Sequence, residues 1–474
     1  MLKKIIAQIA ILILLFSISG CQKKEQPSKK VGSANFTELT VYNMFDNEDI
    51  FEPMLQAFKS ANPGIKVNYR KFNDVDEYRD LIVNELAEGQ GPDVFFLHNS
   101  WFLMDHKKLM PAPTSVTRES FEATYVDIAT KDLIIKDETG IDQIYSFPLY
   151  IDTLALYYNK KYYNEKIPER GKPPRTWSEL EEDIFKLKKE DNSFERFKVA
   201  GIAMGRADNI LRAKEIFLTL LLQSGTKFYD EKYGRAIFGQ AQGINSFGKP
   251  NTPGLDSLSM YTGYGLPTSR NYTWNLFLSD VNSAEQEVDT FARGKVAMIL
   301  GYSYLYEDIA RQINTIAKRN PSAIEVTDIA VAEIPQVFNP EESVGNMATL
   351  ASYFSPAVAR TSEHPNEAWL LINFITNQEN SRYYNQKTKR PAARRDLIEE
   401  QVNDPIYGVF AKQVGYAQSI PMTNPIKYNE AFEEMINKVI ATVPVKTALK
   451  EGEDQINALI PTDGVFPKVK EVTK

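Results

Sequence analysis

Three histidines, His98, His106 and His364, are the side chains best suited to moving a proton near neutral pH, and they stand far apart. None belongs to a cluster of carboxylates or thiols at metal-ligand spacing, so no metal and no cofactor is expected. Gly301-Tyr302-Ser303-Tyr304-Leu305 begins like a nucleophile elbow but lacks its closing glycine. No phosphate loop or dinucleotide fingerprint occurs. Glycoside hydrolysis needs only two carboxylates about 5 to 10 Å apart, so 62 acidic residues leave a glycosidase open. The clearest spacing is at the start. Met1-Leu2-Lys3-Lys4 is basic, Ile5 to Phe16 is apolar, and Ile18-Ser19-Gly20 leads into Cys21, the single cysteine. That order is the order of a secretory signal. A spanning helix takes about 20 apolar residues; this run is shorter and contains Gln8.

A cysteine directly behind the glycine resembles the lipobox of bacterial lipoproteins. The resemblance implies a diacylated Cys21 as mature N-terminus, and a protein outside the cytoplasmic membrane but tethered to it. Two acyl chains suffice for a stable anchor, so the body can be water-soluble. The body has globular composition, 43% hydrophobic and 25% charged, and 474 residues suggest two to three lobes. Net charge is −7, and loss of Lys3 and Lys4 with the leader makes it −9. An acidic surface argues against nucleic acid as a partner. With one thiol no intrachain disulfide forms, so stability rests on core burial.

Gln22 to Phe36 is polar and reads as a spacer. Beyond it, Leu39–Tyr42 predicts a strand, Ile50–Phe58 a helix, Ile65–Tyr69 a strand, Asp76–Ala87 a helix and Val94–Leu97 a strand apolar on both faces. This alternation is an open α/β layer, and ligands bind beyond the carboxyl ends of such strands. Those ends carry Asn43 to Glu48 and His98-Asn99-Ser100-Trp101. A second tract starts near Tyr145. Thr176-Trp177-Ser178-Glu179 forms a capping box, Gly239 to Tyr272 reads as a long irregular loop, Ser283–Arg293 as a helix stopped by Gly294, and Val296–Leu300 as a buried strand. Helices are expected over Ala368–Thr376, Glu379–Gln386 and Glu430–Val443.

Several segments follow in a telling order: Gly91-Pro92-Asp93-Val94, Phe147-Pro148-Leu149-Tyr150-Ile151-Asp152-Thr153, Pro174-Arg175-Thr176-Trp177, Phe291-Ala292-Arg293-Gly294-Lys295-Val296-Ala297-Met298, Ala368-Trp369, and Lys389-Arg390-Pro391-Ala392-Ala393-Arg394. Together they resemble the carbohydrate-type extracellular solute-binding proteins of bacterial ABC importers, the group that includes maltose-binding protein. The resemblance implies an α/β, two-lobed periplasmic-binding-protein-like fold with a hinge and an interlobe ligand cleft. It places residues 38–148 and 300–356 in the first lobe, and 149–299 and 357–474 in the second.

By the same resemblance the cleft holds Tyr150 and Asp152, Asn99 and Trp101, and Tyr302 and Tyr304, the last two where the family often has a Gly-Ser-Trp turn. Trp101, Tyr150, Tyr302 and Trp274 suit either a cleft or a core. Asp46, Asn47 and Asn346 suit ligand contact or a turn and helix cap. Arg394 either touches ligand or braces the second lobe. Aromatic rings offer the apolar face of a pyranose a flat partner, and Asp, Asn and Arg match its hydroxyl rim. The implied function is capture of a sugar or oligosaccharide by a monomer anchored through its lipid, and delivery to membrane permease subunits, with no bond made or broken. The alternatives are a lipoprotein glycosidase, or the same fold serving a non-sugar solute or sensing.

Overall fold

In the computed structural model, residues 36–190, 197–278, 286–318, 324–341 and 347–461 are described. Cys21 with its leader, residues 22–35 of the spacer, and Asn346 lie outside the described residues. Two five-stranded sheets, each with helices packed on it, make two lobes. In the first, Thr37–Met44 lies parallel to Ile65–Phe72 and to Val94–His98. Phe354–Ala359 pairs antiparallel with Val94–His98 and carries the short strand Leu109–Met110. Val94 to Leu97 is buried on both faces, as its unbroken apolar run requires. Helix Val75–Glu88 starts where Asp74 accepts from the Asp76 and Glu77 N–H groups, a cap that contributes about 1 kcal/mol. It buries Tyr78, Ile82 and Leu86 against the sheet.

The second sheet runs Ile329–Glu333, Ala155–Asn159, Val296–Gly301, Phe197–Ile202, Lys189–Glu190. The capping box forms: Thr176 Oγ1 accepts from the Glu179 N–H at 3.1 Å, and Glu179 reaches back to the Thr176 N–H. Helix Trp177–Leu187 follows and buries Trp177, Leu180 and Ile184. Gly294, with φ of 69°, turns the chain out of helix Gln286–Ala292 into its strand. The expected loop between Gly239 and Tyr272 contains instead a helix, Pro253–Gly263. Gly, Ser and Tyr are weak helix formers, and tertiary burial supplies what propensity lacks. Gly254 makes the seat possible, because a Cβ there would stand 1.9 Å from the Phe238 carbonyl oxygen.

The strands part between the lobes differently from the expected boundaries. Leaving Gly301, the chain stays in the second lobe: helix Leu305–Ala317 and strand Ile329–Glu333 return antiparallel beside Ala155–Asn159. Phe354–Ala359 then joins the first sheet, and helices Pro365–Ile375 and Gln378–Thr388 pack against its helix Glu48–Ala61. Pro425–Ile440 and Val445–Leu459 pack on the second lobe's Ala213–Gln223 and Pro253–Gly263. Periodicity shows which face of a strand is buried but not which strand it pairs with, so the sequence could not locate these crossings.

Each of the three crossings contributes one strand to a small third sheet: Asp152–Thr153, Thr349–Ser352 and Ala417–Gln418. The buried Gln413 amide, just ahead of the third strand, ties it to the first, donating to Thr153 Oγ1 at 3.1 Å and the Leu154 carbonyl at 2.9 Å, while its oxygen accepts the Ile334 N–H at 2.8 Å. Among the described residues no helix is long and apolar enough to cross a membrane.

Candidate functional site

A cleft of about 1010 Å³ opens beside the small sheet. The carboxyl ends of the first lobe's strands supply Phe45, His98, Asn99, Ser100 and Trp101, the crossing segments supply Tyr150, Asp152 and Ser352, and the second lobe supplies Arg212, Glu215, Tyr302 and Tyr304. Of the residues expected at a ligand, Asn99, Trp101, Tyr150, Asp152, Tyr302 and Tyr304 are therefore brought together. Asp46 stands directly behind them. Asn47, Trp274 and Arg394 do not reach the cleft. Asn47 accepts from Lys71 Nζ at 2.6 Å and makes no side-chain cap. Trp274 is fully buried core, its indole N–H donating to Asn209 at 2.8 Å. Arg394 is spent on Asp396 and the Thr376 carbonyl.

The first wall is built on Arg390. Its Nη1 donates to Asp46 Oδ1 at 2.8 Å and to the Tyr384 hydroxyl, and its guanidinium carbon lies 4.4 Å from the Tyr150 ring centre. Tyr384 donates to Asp46 Oδ2 at 2.7 Å and stacks on Tyr150 at 5.9 Å. The Tyr150 hydroxyl accepts the Phe354 N–H, and burial pushes its pKa up to about 12. Sequence reasoning named Arg394 where the structure uses Arg390; both stand in the Lys389–Arg394 segment, and only the backbone path through the Pro391 turn separates them.

The second wall repeats the pattern with other residues. Arg212 Nη1 donates to Glu215 at 3.1 Å and its Nη2 to the Tyr304 hydroxyl. Its guanidinium lies 5.4 Å from the Tyr302 ring and 5.7 Å from Tyr304, which stack on each other at 6.4 Å. Burial works against the Glu215 charge, but Lys214 and Arg212 outweigh it and hold the carboxyl below its usual range. Tyr302 is only 3% exposed, and its hydroxyl has no hydrogen-bond partner. Nothing in the sequence marked Arg212 or Glu215; they occupy the first polar turn of an otherwise apolar helix, Ala213–Gln223.

Between the walls, Asp152 accepts from the Ser303 hydroxyl at 2.7 Å and from the Ser303 and Thr153 N–H groups. Burial still raises its pKa to about 6. His98 is bracketed by the Ser100 and Ser352 hydroxyls at 2.8 and 3.1 Å, and burial drives its pKa down to about 3, so the ring is neutral. Asn99 spends its amide on Asp132, the Ala351 carbonyl and the Tyr353 N–H. Trp101 lies edge-on to Phe354 with Arg79 over its face, 4.8 Å from the ring.

Phe45 was not foreseen. Its φ is +67°, and the Asp46 N–H donates to the Met44 carbonyl two residues back at 2.8 Å. That is the rare γ-turn with a positive φ at its centre, which costs a bulky residue on the order of 1–3 kcal/mol. Among the described residues no group of His, Cys, Asp or Glu is placed to hold a metal ion. The site is a lined, polar-aromatic cleft suited to gripping a flat, hydroxyl-rich molecule.

A family profile described as bacterial extracellular solute-binding protein matches residues 46–382. The maltotriose-binding protein of Pyrococcus abyssi is 24% identical over 162 residues, 34% of this chain. The match spans about a third of that relative, 32% of its length. Among solved structures, the sugar-binding protein MalE of Xanthomonas citri superposes with a TM-score of 0.68 at 17% identity, covering 89% of this chain and 97% of its own. An ABC transporter solute-binding protein of Thermotoga lettingae, bound with alpha-D-tagatose, gives 0.63 at 20% identity over 89% and 99%. The likeness is one of fold, two lobes around a cleft.

Proposed function

The chain belongs to the bacterial extracellular solute-binding proteins, and from that premise we propose that it captures a sugar or oligosaccharide between its lobes and hands it to the permease of an ABC importer. The observation that carries this is one cleft of about 1010 Å³ walled on one side by Arg390 over Tyr150, backed by Asp46 and Tyr384, and on the other by Arg212, Glu215, Tyr302 and Tyr304. That volume lies at the upper end of small-molecule sites. Closure follows because a ligand touching both walls favours the closed arrangement by the contacts it makes only there. In this reading no bond is made or broken.

The Cys21 lipid holds the protein at the membrane, a reading that rests on the leader and the Gly20-Cys21 junction. Exchange of Cys21 for Ala should release the protein from the membrane fraction; retention of the variant there would refute the anchor. Calorimetric titration with a panel of mono- and oligosaccharides, maltotriose and tagatose among them, should give a Kd near micromolar, about −8.2 kcal/mol. The sugar should be recovered unaltered. Heat with a polyamine or peptide and none with any sugar would reassign the ligand, and a cleaved sugar would make the protein an enzyme.

A further inference from the structure

We infer that Phe45 is a strained stacking platform that selects ligands with an uninterrupted apolar face. The inference rests on the carbohydrate reading above and deepens it. Three observations meet at this residue. It lines the cleft and is 44% exposed, unusual for a phenylalanine beside a buried strand end. Its backbone occupies the left-handed region, with φ of +67°, in a turn closed by the Asp46 N–H on the Met44 carbonyl. And the turn is over-determined from every side. The Phe45 N–H donates to the Phe72 carbonyl at 2.8 Å, and the Asp46 carbonyl accepts the Tyr69 hydroxyl at 2.9 Å. The Asp46 carboxylate is fixed by Arg390 and Tyr384.

Strain at a bulky residue persists only where its surroundings enforce it, and such residues cluster at ligand clamps. Here the enforced conformation sets the ring in the cleft, where Phe354 meets it edge-on at 5.9 Å and 81°. A ring has no hydrogen-bonding capacity, so it discriminates by shape. A sugar whose C–H groups lie together on one face stacks on it, and a sugar that turns a hydroxyl into that face strands the hydroxyl without a partner.

The test titrates the wild type and the variants Phe45→Tyr, Phe45→Ala and Phe45→Gly with maltotriose, with tagatose and with glucose and its C4 epimer galactose, alongside thermal melts. Phe45→Tyr should bind within about threefold of wild type. Phe45→Ala should lose about tenfold or more in affinity for the best probe and narrow the gap between the epimers. Phe45→Gly should lose as much, yet melt above Phe45→Ala, because glycine takes the positive φ freely. Unchanged affinity in the Ala and Gly variants overturns the platform and leaves the carbohydrate reading standing. A wild type silent to every sugar overturns both. A Gly variant that melts no higher than the Ala variant removes the strain and with it the inference.

Discussion

The two walls of the cleft use the same parts to different ends. On the first, both Asp46 oxygens and both tyrosine hydroxyls are engaged: Asp46 takes Arg390 and Tyr384, and Tyr150 takes a backbone N–H. On the second, the Arg212–Glu215 pair is half as well covered, with the arginine side chain 24% exposed against 12% for Arg390, and the Tyr302 hydroxyl is left unpartnered. A satisfied buried network gives rigidity, whereas an unsatisfied group is a place for something to bind. On the function proposed above, the first wall serves as a brace and the second as a socket.

Removing an arginine from each wall separates them most sharply. Arg390→Ala strands Asp46 in the interior and should cost about 3–5 kcal/mol of stability, read as a lowered melting temperature. Arg212→Ala should cost less, about 1–3 kcal/mol, because Lys214 still offsets the Glu215 charge, and instead lose most of the sugar affinity in titration. If both arginines cost stability alike, the distinction fails. Next comes the carboxylate between the walls. The Asp152 pKa of about 6 lies above its unfolded value, so the native state holds more protons between about pH 4 and 6 and this group's contribution falls as pH rises through that window. The stability of Asp152→Asn minus that of wild type should therefore climb from pH 4 to pH 7, by at most about 3 kcal/mol. Denaturant titrations at a series of pH values measure it, and a flat difference refutes the shift.

Two hydroxyl deletions sharpen the same contrast at smaller scale. Tyr384→Phe takes a donor from Asp46 and should cost about 1–3 kcal/mol in denaturant melts with little change in sugar affinity. Tyr302→Phe removes a group with nothing to lose in the free protein. Its stability should hold or rise by less than about 1 kcal/mol, while affinity falls roughly two- to tenfold. The reverse outcome would exchange brace and socket.

Local features were legible from residues alone. The two-faced apolar run Val94–Leu97, the Thr176–Glu179 box and the Gly294 stop each depend on neighbours within a few positions, and each appears in the structure as read. Pro148 and the family order of segments pointed to Tyr150 and Asp152, and both line the cleft. What escaped depends on contacts distant in sequence. Ile329–Glu333 has no local mark of its antiparallel seat beside Ala155–Asn159. Trp274 looks like a binding aromatic until Asn209, 65 residues away, is seen to hold its N–H inside the core. Arg212 and Glu215 read as the ordinary polar start of a helix. Phe45 is the extreme case, since no phenylalanine is expected at a positive φ, and only the converging bonds from Phe72, Tyr69, Arg390 and Tyr384 reveal why one sits there.

The three-stranded sheet at the crossings has a mechanical consequence. A single tether would let one half of the molecule tumble about the other in any direction. Three tethers lying side by side and cross-linked along their edges resist twist and sideways shear and leave bending as the soft mode. The closure proposed above would thereby be confined to a swing about one axis, each approach of the two halves bringing the same atoms opposite one another.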